Sequence, residues 1–320
     1  MRSMACKSLL MAAMAFVVGT PAVAQDYPSK PITLVAAYAA GGGTDRLARL
    51  FADSLQEKTG TPVVVENRAG ATGTLGANHV ANAKPDGHTL LFSATSEVTI
   101  VKYTMGAVPY DIYNDFSPIG RVAYTPYVII TNNNVPGDSL EELESYIAAS
   151  DSPVPIGAVA TISRLTAELF RVRSGLSTET ILYNTPAMGD LLGDQIRVSV
   201  DVLPTALPQL EAGNVKARVV ASADRSELLP DVPTMEESGY PDFVSTVWYS
   251  LLAPKDTPPE IVAELSGLLQ EIVSDEAVKE QLRAQGYSTY EGDTAEAFGA
   301  FLEAETNRWG SVVAETGFTR

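Results

Sequence analysis

Residues 41–45 read Gly-Gly-Gly-Thr-Asp and stand between an apolar, strand-like run and a helical pattern. Three consecutive residues without side chains let another group approach the backbone closely, and a helix that starts there leaves its first N–H groups without intrahelical acceptors. Such a start carries the positive end of the helix dipole and is a ready site for an anion. Thr44 offers a hydroxyl as a helix cap or as a donor to a ligand. Asp45 reads in two ways, as a cap in the first helical turn or as a group facing the ligand. In the second case two carboxylates share the space only with water, a hydroxyl or an amine between them.

Covalent and metal chemistry have little to work with. His79 and His88 are the only histidines, and they lack the i, i+4 spacing of a helical metal pair, so no metal site is expected. They read as solvated or capping side chains. A Gly-x-Ser-x-Gly nucleophile elbow does not occur. Gly43 is followed by Thr-Asp-Arg instead of the Gly-Lys-Ser/Thr of a phosphate loop, and Gly70, Gly73 and Gly76 are spaced unlike a dinucleotide fingerprint. No catalytic residue and no cofactor are therefore expected. The rival reading is a secreted hydrolase or isomerase acting on a small carboxylic acid, with Asp45 or Asp201 as general base and Tyr183 as acid.

The glycines fall at the end of the first strand in an alternating pattern. Residues 31–38 read as a buried strand, and residues 44–58 as a helix with Leu47, Leu50, Phe51 and Leu55 on one face, closed by Gly60. Strand 61–66, helix 72–82 and strand 88–95 follow, a βαβαβ start that predicts a parallel sheet with helices on both faces. In such sheets ligands bind beyond the carboxyl ends of the strands. Two long β-rich runs, 119–131 with Pro126 inside and 243–253, are what a chain needs to leave one domain and return. Between them lie strands at 154–158, 179–183, 196–202 and 215–221 and helices at 163–173 and 187–192; helices at 258–274, 275–284 and 294–313 close the chain.

Arg2 and Lys7 precede an apolar run from Leu9 to Val18, and Ala22-Val23-Ala24 is a peptidase-type site, so residues 1–24 read as a cleaved secretory signal. The run is short of the roughly 20 residues a membrane-spanning anchor needs. Cleavage near Ala24 leaves 296 of the 320 residues, which favours two domains, at a net charge of −19 in place of −17. The only cysteine, Cys6, goes with the signal, which removes disulfides and thiol chemistry. Such acidity disfavours nucleic acid and anionic membrane surfaces as partners.

Five segments are specific together. YPSKPITLVAAYAAGGGTDRLAR, PVVVENRAGATGTLGANHVANAKPDGHTLL, VPYDIYNDFSPIG, LLPDVPTMEESGY and WYSLLAPKDTPPEIV resemble, in order and spacing, the periplasmic solute-binding proteins of tripartite tricarboxylate transporters, the Bug family. The resemblance spans residues 27–317. It implies an α/β chain with a type II periplasmic binding-protein fold: two α/β lobes joined by two crossing strands, with the ligand cleft between them. Residues 25–122 and 250–320 would form lobe 1, and residues 123–249 lobe 2. It also implies a monomer that captures a small carboxylate, a di- or tricarboxylate or a related organic acid, for membrane transporter subunits. A sensor receptor is the alternative partner.

The same resemblance assigns residues. The loop Tyr38 to Asp45 would hold a carboxylate through backbone N–H groups and trapped water, Tyr38 covering the ligand and Asp45 ordering the polar network. Ser93, Thr95 and Ser96 would line the cleft at the end of the third strand. The opposing lobe would contribute the loop and helix start from Gly157 to Arg164, with Ala160, Thr161 and Ser163, and the stretch from Tyr183 to Met188. Asp201 matches an acidic position on the hinge side. Relatives often have lysine and glycine after the tyrosine, where this chain has Asn184 and Thr185, and Arg164 replaces a histidine or small polar residue. An arginine there reads either as a bidentate partner for a second ligand carboxylate or as a solvated side chain. The expected grip on the first carboxylate is Thr44, the backbone of Gly41, Gly42 and Gly43, Thr161 and Ser163.

Overall fold

The computed structural model describes residues 27–183 and 185–318; the signal reading of residues 1–24 and the candidate Asn184 lie outside the described residues. In chain order the first unit is β1 (Ile32–Ala36), α1 (Gly43–Thr59), β2 (Val63–Asn67), α2 (Thr74–Ala81), β3 (Thr89–Ala94) and the short α3 (Val101–Thr104). Apolar spacing sets α1: Leu47, Ala48, Phe51, Ala52 and Leu55 are buried, and Gly60, at φ 67°, ends the helix with its N–H on the Gln56 carbonyl. β1 pairs in parallel with both β2 and β3. Phe51 from the helix meets Phe92 from β3 at a centroid separation of 6.1 Å.

The long β4 (Phe116–Asn132) then leads to α4 (Leu140–Ala148), β5 (Val154–Ala158), α5 (Thr161–Ser174), β6 (Thr178–Leu182), α6 (Met188–Leu192), β7 (Val198–Val202), α7 (Leu203–Glu211) and β8 (Val215–Val220). The chain returns through β9 (Thr246–Pro254) and closes with α8 (Pro259–Val273), α9 (Glu276–Arg283), the two-residue β10 (Ser288–Thr289) and α10 (Ala295–Thr316).

β4 is where the two units meet. Residues 116–126 pair with β9, and residues 127–132 pair with β7 and β8. Pro126, which has no N–H for a ladder, stands at the change of partner. Immediately beyond it three backbone bonds knot the strands: Tyr127 N–H donates to Ser245 O at 3.0 Å, Ala221 N–H to Tyr127 O at 2.8 Å, and Ser245 N–H to Ala221 O at 2.7 Å.

Strand direction follows from this register. β9 runs antiparallel to β3 and to β4, so β1, β3 and β4 point the same way, toward the second unit. β7 is antiparallel to β4, and β5 and β6 run with β7, so all three point back toward the first unit. The carboxyl ends of both sets of parallel strands therefore face one another across the crossing strands. The helix starts that follow β1 and β5 come with them.

Candidate ligand-binding site

Each of the three glycines after β1 answers a different requirement. Gly41 has φ +81°, a left-handed conformation with open space around it. Gly42 is the extended N-cap of α1, and no side chain among the described residues caps the helix. Gly43 is bare because two phenols crowd it: a Cβ there would lie 3.1 Å from Tyr287 Oη and 3.3 Å from Tyr249 Oη.

Asp45, third in α1, faces the loop instead of the cleft. Its Oδ2 accepts from the Gly41 N–H at 2.8 Å and its Oδ1 from Asn67 Nδ2 at 2.9 Å, while Arg49 pairs with it at 2.9 Å from one turn on. The hydrogen-bonded Arg49 guanidinium, with Gly41 and Asn67, outweighs burial and holds the carboxyl at about 2. A carboxylate so engaged is a poor general base. The first i to i−4 bond of α1 runs from Arg46 N to Gly42 O at 3.0 Å, so the amides of Gly43, Thr44 and Asp45 have no acceptor within the helix.

α5 repeats the device with different chemistry. Its N-cap is Ala160, and Ser163, third in the helix, turns its hydroxyl back to accept from the Val159 and Ala160 amides at 2.9 Å each. The first helical bond runs from Arg164 N to Ala160 O at 3.0 Å. Thr161, Ile162 and Ser163 therefore present amides without intrahelical acceptors. The two helices offer six such N–H groups from facing sides.

The candidates at the end of β3 are placed otherwise than expected. Ser93 is fully buried, its hydroxyl 2.6 Å from that of Ser250 on β9. Thr95, also fully buried, accepts from Trp248 N–H at 2.9 Å. Both hydroxyls stitch β3 to β9, because a side chain on a central strand points into a packed layer more often than along the strand axis. Ser96 is nine-tenths buried beside Tyr38.

Tyr38 donates its hydroxyl to Glu97 Oε2 at 2.7 Å. Glu97, which sequence reasoning missed, is completely buried; its Oε1 accepts from the Ala94 amide and its backbone carbonyl from Tyr110. Burial pushes its carboxyl from 4.5 up to about 7. Unfolded, the group ionises near 4.5, so between pH 4.5 and 7 the folded protein holds the extra proton and stability falls as pH rises. That loss is on the order of 3 kcal/mol and is complete above pH 7. Glu97→Gln is expected to flatten the stability profile across this window. Urea midpoints at pH 5 and pH 8 check it: a wild-type profile parallel to that of the variant contradicts the assignment.

On the opposing side, the Arg164 guanidinium lies over the Phe318 ring at 4.5 Å, which joins α5 to the chain just past α10. Tyr183 donates to Asp190 Oδ2 at 2.9 Å, a contact near the surface. Asp201, at the end of β7, is 6 % exposed; its Oδ1 accepts from the Val202 amide at 3.0 Å and its Oδ2 has no partner among the described residues. Burial outweighs the Val202 amide and raises it to about 6. Tyr127 neighbours it on the crossing strand.

Sequence reasoning also passed over Tyr127, Tyr249 and Tyr287, whose spacing carries no signal, and Arg46, whose guanidinium adjoins the Tyr287 hydroxyl. A cavity of about 660 Å³ lies at the crossing strands and is bordered by Pro126, Thr246 and Tyr287. Its wall carries six carboxylates against three cations and includes neither helix start, so it does not suit an anion.

Two α/β units joined by two crossing strands, with helix starts converging between them, define a type II periplasmic binding protein. The model of the tripartite tricarboxylate transporter family receptor matches residues 47–318, and the chain belongs to that family. It is 37 % identical over 305 residues to BugT of Bordetella pertussis, covering 94 % of this chain and 93 % of that one. Among solved structures it resembles a Rhodopseudomonas palustris protein with adipate, at a TM-score of 0.83 and 30 % identity over 92 % of this chain and 99 % of the other. BugD matches at 0.78 and 33 % identity, covering 91 % and 99 %. MatC from Rhodopseudomonas palustris with bound malate matches at 0.77 and 29 %, covering 90 % and 100 %. The family is one of receptors, not enzymes.

Proposed function

We propose that this chain captures a small carboxylate, a di- or tricarboxylate or a related organic acid, and delivers it without transforming it to a tripartite tricarboxylate-type transporter. The observation that carries this reading is the pair of facing helix starts, each with its third side chain turned back onto its own loop and its first amides left without intrahelical acceptors. A charge-assisted hydrogen bond contributes about 1.5–3 kcal/mol, so several of them reach the roughly 8 kcal/mol of a micromolar site before association costs. The acidic surface does not oppose this, because distant carboxylates are screened over roughly 8 Å at physiological salt. Adipate and malate in the relatives support the ligand class.

Ligand bridging both helix starts stabilises the closed arrangement by its differential affinity for it, and a membrane partner reads the closed shape. In this reading the lobes divide where the strand partners change, at 126/127 and 245/246, a few residues inside the bounds 122/123 and 249/250 that the family resemblance implies. Export by a signal ending near Ala24 and a monomeric state complete the reading. Calorimetric titration of the mature protein with mono-, di- and tricarboxylates, aromatic acids and acidic amino acids tests it, with chromatography of the mixture afterwards. Saturable binding with unaltered ligand is expected. Turnover, or binding of sugars or cations in place of carboxylates, contradicts it.

A further inference from the structure

The two helix starts each present about half a unit of positive charge, roughly one unit together. Asp45 does not subtract from it, because Arg49 balances that carboxylate at 2.9 Å. A monocarboxylate is therefore matched by backbone alone. A dicarboxylate brings one negative charge more.

Arg46 is a cation on the first turn of α1, beside these amides. It is the fourth residue of α1, three on from Gly43 and so on the same face of the helix. Its guanidinium adjoins the Tyr287 hydroxyl, the oxygen that a Cβ on Gly43 would approach to 3.1 Å. It is exposed, and among the described residues no carboxylate forms an ion pair with it, although Arg49 one turn away is paired. Arg164, the other arginine near the cleft, lies over Phe318.

We propose that Arg46, with the Tyr287 hydroxyl, binds the second carboxylate of the ligand and makes this receptor select dianions over monoanions. The inference rests on the cleft being a carboxylate site. In an open cleft an exposed pair of this kind is worth little. Closure removes water from it and lets the guanidinium act as a bidentate partner.

Calorimetry with chain-matched pairs, adipate against hexanoate and succinate against butyrate, separates the possibilities in wild type, Arg46→Gln and Arg46→Lys. Arg46→Gln is expected to weaken the best dicarboxylate about tenfold or more, the size of one charge-assisted hydrogen bond, and to leave its monocarboxylate partner within about twofold. Arg46→Lys should retain part of the preference. The dependence of the dicarboxylate affinity on salt should also fall in Arg46→Gln. Equal weakening of both members of a pair, or no change in either, overturns the role of Arg46. Failure of the wild type to bind any member overturns the carboxylate reading itself, and is a separate result. Unchanged circular dichroism and melting temperature show that the exposed substitution has left the fold intact.

Discussion

Asp45→Ala is expected to weaken ligand binding about a hundredfold and to lower stability by about 2 kcal/mol at pH 7. The carboxylate ties together the Gly41 amide, Asn67 and Arg49, which come from the loop, the end of β2 and the next helical turn. Removing it leaves a loop amide and a side-chain amide unpartnered and frees the glycines to adopt other conformations. The first amides of α1 then lose the fixed aim on which two charge-assisted bonds to the ligand depend. Arg49 has half its side chain in water, so its lost partner costs less than a buried pair would. The sign with pH is set by the depressed carboxyl. Its stabilisation is fully present above the unfolded value of 3.8 and disappears as pH falls through about 2. Asp45→Asn keeps an acceptor for Gly41 and should lose less affinity. Titration calorimetry and urea unfolding read both quantities, and Asp45→Ala binding as tightly as wild type contradicts this role for the loop.

Gly43→Ala separates binding from stability. The added methyl would sit 3.1 Å and 3.3 Å from the hydroxyls of Tyr287 and Tyr249, both on rings that are almost wholly buried. Those rings pack against each other at 6.0 Å, edge to face, and Tyr249 also meets Phe92, so neither hydroxyl withdraws easily. The helix itself gains from alanine, up to about 1 kcal/mol. Stability is therefore expected to stay within about 1 kcal/mol of wild type while affinity falls at least about tenfold, because the methyl stands between the phenols and the free amides. A variant with unaltered affinity would place the ligand away from this helix start.

Local rules made much of the fold readable. The spacing of Leu47, Phe51 and Leu55 and the stop at Gly60 delimit α1, and Pro126 marks the change of strand partners. Ser139 and Glu142 form a capping box at the start of α4, a signal written in the sequence itself. α7 is hard to read in the sequence, since Pro204 and Pro208 lie within its nine residues, yet one falls in the first turn and the other is tolerated in its second half. The site was legible only where backbone does the work. Bare glycines announce free amides, but no spacing rule tells that Ser93 and Thr95 bond across to β9. Tyr249 and Tyr287 reach Gly43 from more than 200 residues away, which only the return of the chain through β9 brings about. Arg164 and Arg46 both lie in first helical turns; which one meets the aromatic ring past α10's end and which adjoins the Tyr287 hydroxyl is decided by tertiary packing.

The amide proton and nitrogen resonances of Gly43, Thr44, Asp45, Thr161, Ile162 and Ser163, followed through a titration with a carboxylate that binds, test the central claim most directly. All six groups are expected to move together, saturating at one ligand per chain, as amides do when they acquire a charged acceptor. Saturation of the protein with these six resonances unmoved, and the changes confined to other residues, would contradict it.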